Sequence, residues 1–349
     1  MKLVVLLLLA LFLGFPLMGW AQVGGQRGFP FLQLPGNAKV AALGGINVSA
    51  PGHDVNMVAS NPALLSEAMD QQLSLTYVGY LADIRQSNVA YAFSTPRYGR
   101  WSASLNYLNY GDFVQRDLTG MEEGSFSVND YTFSLSHARQ VEAFTLGATA
   151  KLAISSMAGD KAVGILADVG GAFRHPEHDL NIGMAFKNIG YQVRTFTGAD
   201  RQAMPFDLQL GTSYKPEHMP VRLSLTAHHL YRFDVVYLDP NASGQLDANG
   251  NEVEEEKKLS DMIARHFVVG TEFIFSNNFQ VRAGYNHLRR KELRLDSNAG
   301  GAGFSVGAML RVRAFELNYG SALFHPSGGT HYVTLSTDTG TFLKRKRKE

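Results

Sequence analysis

Phe144-Thr145-Leu146-Gly147-Ala148-Thr149-Ala150-Lys151-Leu152-Ala153-Ile154 decides the fold. Phe144, Leu146, Ala148, Ala150, Leu152 and Ile154 share one face of an extended chain, and Thr145, Gly147, Thr149 and Lys151 share the other. Successive side chains of a strand point to opposite faces, so this run has one greasy face and one polar face. Trp101, Ala103, Leu105 and Tyr107 likewise oppose Ser102, Ser104 and Asn106. Val221, Leu223, Leu225 and Ala227 oppose Arg222, Ser224, Thr226 and His228.

Fourteen such runs follow residue 71, centred on 72–81, 87–95, 100–110, 125–139, 143–155, 162–174, 179–188, 205–215, 220–231, 265–275, 278–288, 303–312, 314–321 and 330–337. An even count is what a single-chain bacterial barrel needs to end on the side where it began. The connectors alternate in length. Those at 95–99, 140–142, 175–178, 216–219 and 276–278 are short. Those at 110–125, 189–204, 232–264 and 288–302 are long, 156–161 and 322–329 are intermediate, and 82–86 is short where length is expected. Outer-membrane barrels pair short periplasmic turns with longer outer loops, which puts the N-terminus in the periplasm and 232–264 outside.

Charge decides which face meets lipid. Lys151, Asp168, Lys187, Asp207, Arg222, Glu272, Arg282, Arg311 and Glu316 fall on the proposed lumen face, and the other face is nearly free of charge. A Lys or Arg at the bilayer midplane costs about 2–4 kcal/mol. A soluble β-sandwich also alternates, but many runs with long and short connectors suit it less. The expectation is an all-β, 14-stranded antiparallel transmembrane β-barrel.

Composition agrees. Of 349 residues, 18% are charged, against about 25% in ordinary soluble domains. The 35 Gly, 22 Phe and 14 Tyr suit strands and turns. With 32 Lys+Arg against 31 Asp+Glu, no overall field draws the chain to nucleic acid. The absence of Cys excludes disulfides, thiolate metal sites and an N-terminal lipoprotein anchor.

Lys2, the apolar stretch Leu3–Leu17 and Gly19-Trp20-Ala21 read as a signal peptide, residues 1–21, cut ahead of Gln22. A transmembrane anchor fits less well, because the run is short and contains Gly14 and Pro16. No other stretch approaches the ~20 apolar residues of a membrane helix. Residues 22–71 do not alternate and are rich in Gly, Pro, Ala and Asn. Asn61-Pro62-Ala63-Leu64-Leu65 reads as a turn opening a short helix. Since polar backbone cannot sit unpaired in lipid, this segment is expected as a plug in the lumen. The barrel then spans 72–342, with Phe342 as a terminal aromatic. The basic run 343–349 hangs in the periplasm as a solvated tail or as a contact for acidic headgroups or a partner.

No catalytic set and no cofactor or metal site emerges. His228 and His229 are expected on opposite strand faces, unable to share a ligand. Ser134 and Ser136 face away from His137. Asp247-Ala248-Asn249-Gly250-Asn251-Glu252-Val253-Glu254-Glu255-Glu256 superficially resembles a calcium loop, but its Gly stands at the fourth position instead of the sixth. Gly44-Gly45 lacks a phosphate-loop ending and reads as a turn.

Phe29-Pro30-Phe31-Leu32-Gln33-Leu34-Pro35, Ala38-Lys39-Val40-Ala41-Ala42-Leu43-Gly44-Gly45, Val48-Ser49, Asp54, Asn61-Pro62-Ala63-Leu64, Leu73-Ser74-Leu75-Thr76-Tyr77 and Ala82-Asp83-Ile84 carry a family likeness. They resemble the PorV/PorQ group of outer-membrane proteins in the type IX secretion system of Bacteroidetes, itself similar to the fourteen-strand, plugged fatty-acid transporters. Asn37 and Lys39 stand where Ser and Arg are expected. The resemblance implies a non-enzymatic component of the bacterial cell outer membrane. It would anchor a PorZ-like surface protein in an attachment complex with the sortase PorU and with PorV, close to lipopolysaccharide. The docking face would then be the loops at 110–125, 189–204, 232–264 and 288–302, with Asp247, Asn249, Asn251, Glu254 and Glu255 as candidate contacts. The alternative is a transporter of fatty acids or other hydrophobic molecules, which needs an apolar lumenal pocket and a lateral gap in the wall.

Overall fold

The computed structural model describes residues 27–95, 97–117, 119–236, 245–246, 252–253, 258–293, 300–325 and 328–341. The signal peptide, Phe342, the basic tail and the five candidate docking residues Asp247, Asn249, Asn251, Glu254 and Glu255 lie outside the described residues.

Among the described residues, fourteen strands form one closed antiparallel barrel. They are β1 (Gln72–Gly79), β2 (Arg85–Thr95), β3 (Gly99–Arg116), β4 (Glu122–Val141), β5 (Phe144–Met157), β6 (Asp160–Arg174), β7 (Asp179–Arg194), β8 (Asp207–Lys215), β9 (Val221–Ala227), β10 (Phe267–Ile274), β11 (Phe279–Asn286), β12 (Phe304–Val312), β13 (Phe315–His325) and β14 (Gly328–Asp338). Each pairs with the next, and β1 closes on β14 from Gln72↔Asp338 to Gly79↔His331. Every run read from the sequence corresponds to one strand. No helix among the described residues is long and apolar enough to cross a membrane.

The burial pattern is inverted relative to a soluble protein. Leu146 and Leu152 of β5 are exposed on the outer wall, as are Leu135 of β4, Ile165 of β6, Leu223 of β9 and Leu335 of β14. Thr149 and Lys151 of β5, Asp168 of β6 and Glu272 of β10 are buried in the lumen. An apolar exterior round a polar interior is stable only when lipid replaces water outside.

Several strands outrun their expected ends. β3 and β4 pair up to Arg116↔Glu122, so most of the anticipated 110–125 loop is a hairpin. β2 stops pairing with β3 at Asn109, and β5 stops pairing with β4 at Val128. The hairpin therefore projects past its neighbours with both edges unpaired by them. β7 runs to Arg194, passing a bulge at Asn188, whose backbone is left-handed with φ 57°.

The N-terminal segment fills the lumen. Its helix α1 (Ala38–Ala42) packs on β11 to β14, and the 3-10 turn Pro62–Leu64 packs on β4, β5 and β6. Asn37 caps α1 by accepting from Val40 N at 2.9 Å. Asn61 caps the Pro62 turn, accepting from Ala63 N at 2.9 Å and donating to Val48 O at 3.0 Å. Phe29 and Phe31, edge to face at 6.3 Å, bury against Leu108 and Leu166 of the wall.

Glycines of the wall set how closely the plug sits. A Cβ on Gly183 would land on the Val48 carbonyl, and one on Gly147 would land on the Pro62 backbone. Gly183→Val is expected to cost about 1–3 kcal/mol through overpacking. The plug should become protease-sensitive while the barrel keeps its heat-modifiable migration. A plug as resistant as wild type would show that the close approach is not required.

Candidate functional site

Three features of the lumen and its long-connector rim combine chemistry with burial. The first is a chain of charges joining plug to wall. Glu272 on β10 meets Arg282 Nε at 3.0 Å, Arg222 Nη1 at 3.5 Å and the plug's Lys39 Nζ at 3.7 Å. Arg222 continues to Asp179 at 2.8 Å. Arg282 donates to Asn318 Oδ1 at 2.6 Å, and Asn318 donates to Glu316 at 2.8 Å. Glu316 pairs with Arg311 at 2.7 Å and with the plug's His53 at 2.6 Å. Of the lumen charges expected from the sequence, Arg222, Glu272, Arg282, Arg311 and Glu316 are joined here, with Lys39, His53 and Asp179 added. Lys39 also donates to Pro51 O at 3.0 Å.

The second is a cavity of about 330 Å³ between plug and wall. The plug contributes Phe31, Leu32, Leu34 and Val40, and the wall contributes polar groups such as Gln86, Asn106, Lys151 and Lys187. Lys151 pairs with Asp168 at 2.5 Å and donates to the bulged Asn188 at 3.1 Å. Lys187 donates to the plug carbonyl of Ala59 at 2.8 Å.

The third is at the rim of the same cavity, where Asp207, His228 and His229 converge, with one ligand atom from each within 4.8 Å of the others. This corrects the expectation that the two histidines face apart. β9 ends at Ala227 instead of running to residue 231, and His229 is left-handed with φ 56°. Strand alternation no longer applies, and His228 Nδ1 and His229 Nδ1 are hydrogen-bond partners. Asp207 Oδ1 accepts from His229 N at 2.7 Å. A polar clue exists in the sequence: His229 on a continued β9 would have faced lipid.

Beyond the barrel ends, α2 (Leu259–Ala264) and α3 (His287–Glu292) meet through Asp261. It accepts from Arg265 at 2.8 Å and from His287 at 3.0 Å, and lies 3.4 Å from Lys291. Ser136, buried, bonds Thr149 at 2.8 Å, whereas His137 bonds the Arg100 carbonyl at 2.9 Å, so the serines and this histidine are kept apart as expected. Gly44 and Gly45 form a turn at φ 93° and 87°, as read from the sequence.

No protein-family model matches the chain. No curated protein matches it either. Among solved structures it is similar to TodX, a monoaromatic hydrocarbon channel, in its deltaS2 mutant. That match has a TM-score of 0.45 and 15% identity, over 87% of this chain and 97% of that one. A FadL homologue of Pseudomonas aeruginosa gives 0.46 and 11%, over 86% and 98%. The KdgM porin gives 0.30 and 5%, over 76% and 98%. These likenesses are ones of general barrel architecture.

Two outcomes follow. Glu272→Ala leaves Arg282 and Lys39 without their acid and Arg222 with Asp179 alone, at a cost of about 3–5 kcal/mol. Urea unfolding in detergent should show it, and an unchanged midpoint would count against the network. Asp261 is a pH-sensitive group: burial opposes its ionisation, but hydrogen bonds from His287 and Arg265 and the charges of Arg265 and Lys291 bring its pKa down to about 2. That lies below the unfolded value of about 3.9. Its stabilisation of the α2–α3 contact is therefore complete above pH ~4 and is lost as pH falls toward 2. Amide exchange at 259–264 and 287–292 should quicken over that window in wild type and stay flat in Asp261→Asn.

Proposed function

We propose that the chain is a non-enzymatic scaffold of the outer membrane. Its barrel is closed by its own N-terminal segment and holds a surface protein at the long-connector rim. The type IX resemblance supplies the partners: a PorZ-like surface protein, with PorU and PorV in the larger attachment complex. The observation that carries this reading is the fastening of the plug. Ion pairs and hydrogen bonds join it to separate stretches of the wall, through Lys39–Glu272 on β10 and Asn61 with the Gly171 carbonyl on β6. Strand pairing around it is closed. Such a lumen favours a fixed support over a passage.

The projecting β3–β4 hairpin supports the docking half. Phe113, Val114 and Met121 are exposed there, at 45%, 52% and 69%, past the ends of the flanking ladders. Phe113 stacks on Phe126 at 5.6 Å, which stiffens the pair for contact. Apolar side chains held above a barrel rim suit a protein partner better than water.

The second reading is uptake of fatty acids or other hydrophobic molecules, the kind of role named for the TodX channel. Phe31, Leu32, Leu34 and Val40 at the cavity favour it. Its polar wall and the closed ladder weigh the other way.

A pull-down from native membranes separates the two. The scaffold reading expects a co-purifying surface protein, lost or reduced when Phe113, Val114 and Met121 are changed to Ser, or when 240–258 is deleted, with the barrel still folded. Recovery of the barrel alone, with thermal stabilisation by added fatty acid, would overturn it in favour of uptake.

A further inference from the structure

The cluster beyond the end of β9 has the composition of a metal site. Imidazole and carboxylate together suit divalent first-row ions, zinc among them. Asp207 is 5% exposed and His228 1%, so these groups are held in place by packing. His228 Nε2 is buried without a hydrogen-bond partner, an orphaned lone pair or N–H that a folded protein ordinarily satisfies. Asp207 accepts one hydrogen bond on each oxygen, from His229 N and from Gln209 Nε2, both at 2.7 Å. A carboxylate offers about four lone-pair positions, so acceptor capacity remains.

The dimensions fit. An ion bound at about 2.0–2.2 Å holds tetrahedral ligands roughly 3.4 Å apart. The ligand atoms here lie within 4.8 Å of one another, a side-chain rotation from that spacing. Two neighbouring cations are engaged elsewhere: Lys187 donates to Ala59 O at 2.8 Å, and Arg27 donates to the Tyr231 hydroxyl. The cavity alongside leaves room for water at a fourth position.

We propose that Asp207, His228 and His229 form a binding site for one divalent transition-metal ion, with an open position toward the lumenal cavity. The ion joins the start of β8 to the first residues of the 228–266 connector. It therefore fastens that connector to the wall at the point where β9 has ended. The inference does not depend on whether the barrel is a scaffold or an uptake channel.

The test uses the full-length protein in detergent, stripped with EDTA, dialysed and titrated with Zn²⁺, with Co²⁺ as a spectroscopic probe. One tightly bound ion per chain is expected, with visible Co²⁺ bands of a low-coordinate nitrogen and oxygen site. His229→Gly removes one ligand and suits the left-handed backbone, so the barrel should fold. Asp207→Asn keeps the shape and removes the charge. Each should weaken binding by roughly tenfold or more. Loss of the ion should also expose the 228–236 segment to protease. The pair of half-buried His175 and exposed His178, at the opposite rim, is the control, and His175→Ala with His178→Ala should leave the tight site unchanged. The proposal is overturned by no stoichiometric binding, which would leave a hydrogen-bonded histidine pair only. Affinity unchanged in both His229→Gly and Asp207→Asn, or abolished by the His175 and His178 changes, would overturn it equally.

Discussion

A peptide group facing lipid must find its partner within the protein, because no water is there to take its place. Closure of β1 on β14 meets that demand, and the rest of the molecule is arranged around it. Closing fourteen strands creates an interior too wide for their own side chains to fill. The N-terminal segment occupies that interior, and its irregular backbone is tolerated there because wall side chains complete its hydrogen bonds. Ser305 accepts from Gly44 N at 3.0 Å, Asn286 donates to Gly44 O at 3.1 Å, and Thr334 accepts from Ala38 N at 3.2 Å. The strand faces that would be wasted on empty space instead carry the partners the plug needs.

The charged network is better understood as a device of placement than of net stability. Desolvating an acid and its cations costs about as much as their attraction returns, so a well-packed apolar lumen could be as stable. An apolar interface, however, would let the plug slide or rotate at little cost. Lys39 can find Glu272 and His53 can find Glu316 in only one seating. Wall glycines opposite Val48, Pro62, Gly44 and Ala38 reinforce the choice, since a Cβ at any of them would collide with plug backbone.

Much of this was legible in the sequence, because a two-residue period, an even run count and segregated charge are each direct consequences of the membrane. The lumen placement of Lys151, Glu272 and Arg282 followed from the same physics. What the period could not convey was where pairing stops. The β3–β4 extension has polar and apolar residues on both faces, as it stands clear of the lipid and needs no alternation. The end of β9 was misplaced for the opposite reason: Tyr231 and His229 kept an apparent period that the backbone abandons at φ 56°. The ion-pair partners were beyond reach as well, since they depend on register across several strands. Contacts of the plug depend on a three-dimensional fit that no local pattern encodes.

The two misjudged ends bear on function together. β3 and β4 have 18 and 20 residues, whereas β9 and β10 have 7 and 8. A strand needs about 9–11 residues to cross a membrane at its usual tilt. The wall at β9 is therefore low, and the pairing must be prolonged by other means. His228 N donates to His266 O at 2.9 Å, and His266 spans from the His228 carbonyl at 2.8 Å to the Phe233 carbonyl at 3.0 Å. Side chains here do what a longer ladder does elsewhere. At this part of the rim, side chains extend what the short ladder leaves unpaired. The rim is divided accordingly: one side raises a tall hairpin on which Phe113, Val114 and Met121 are exposed, and the other ties its connectors through His228 and His266.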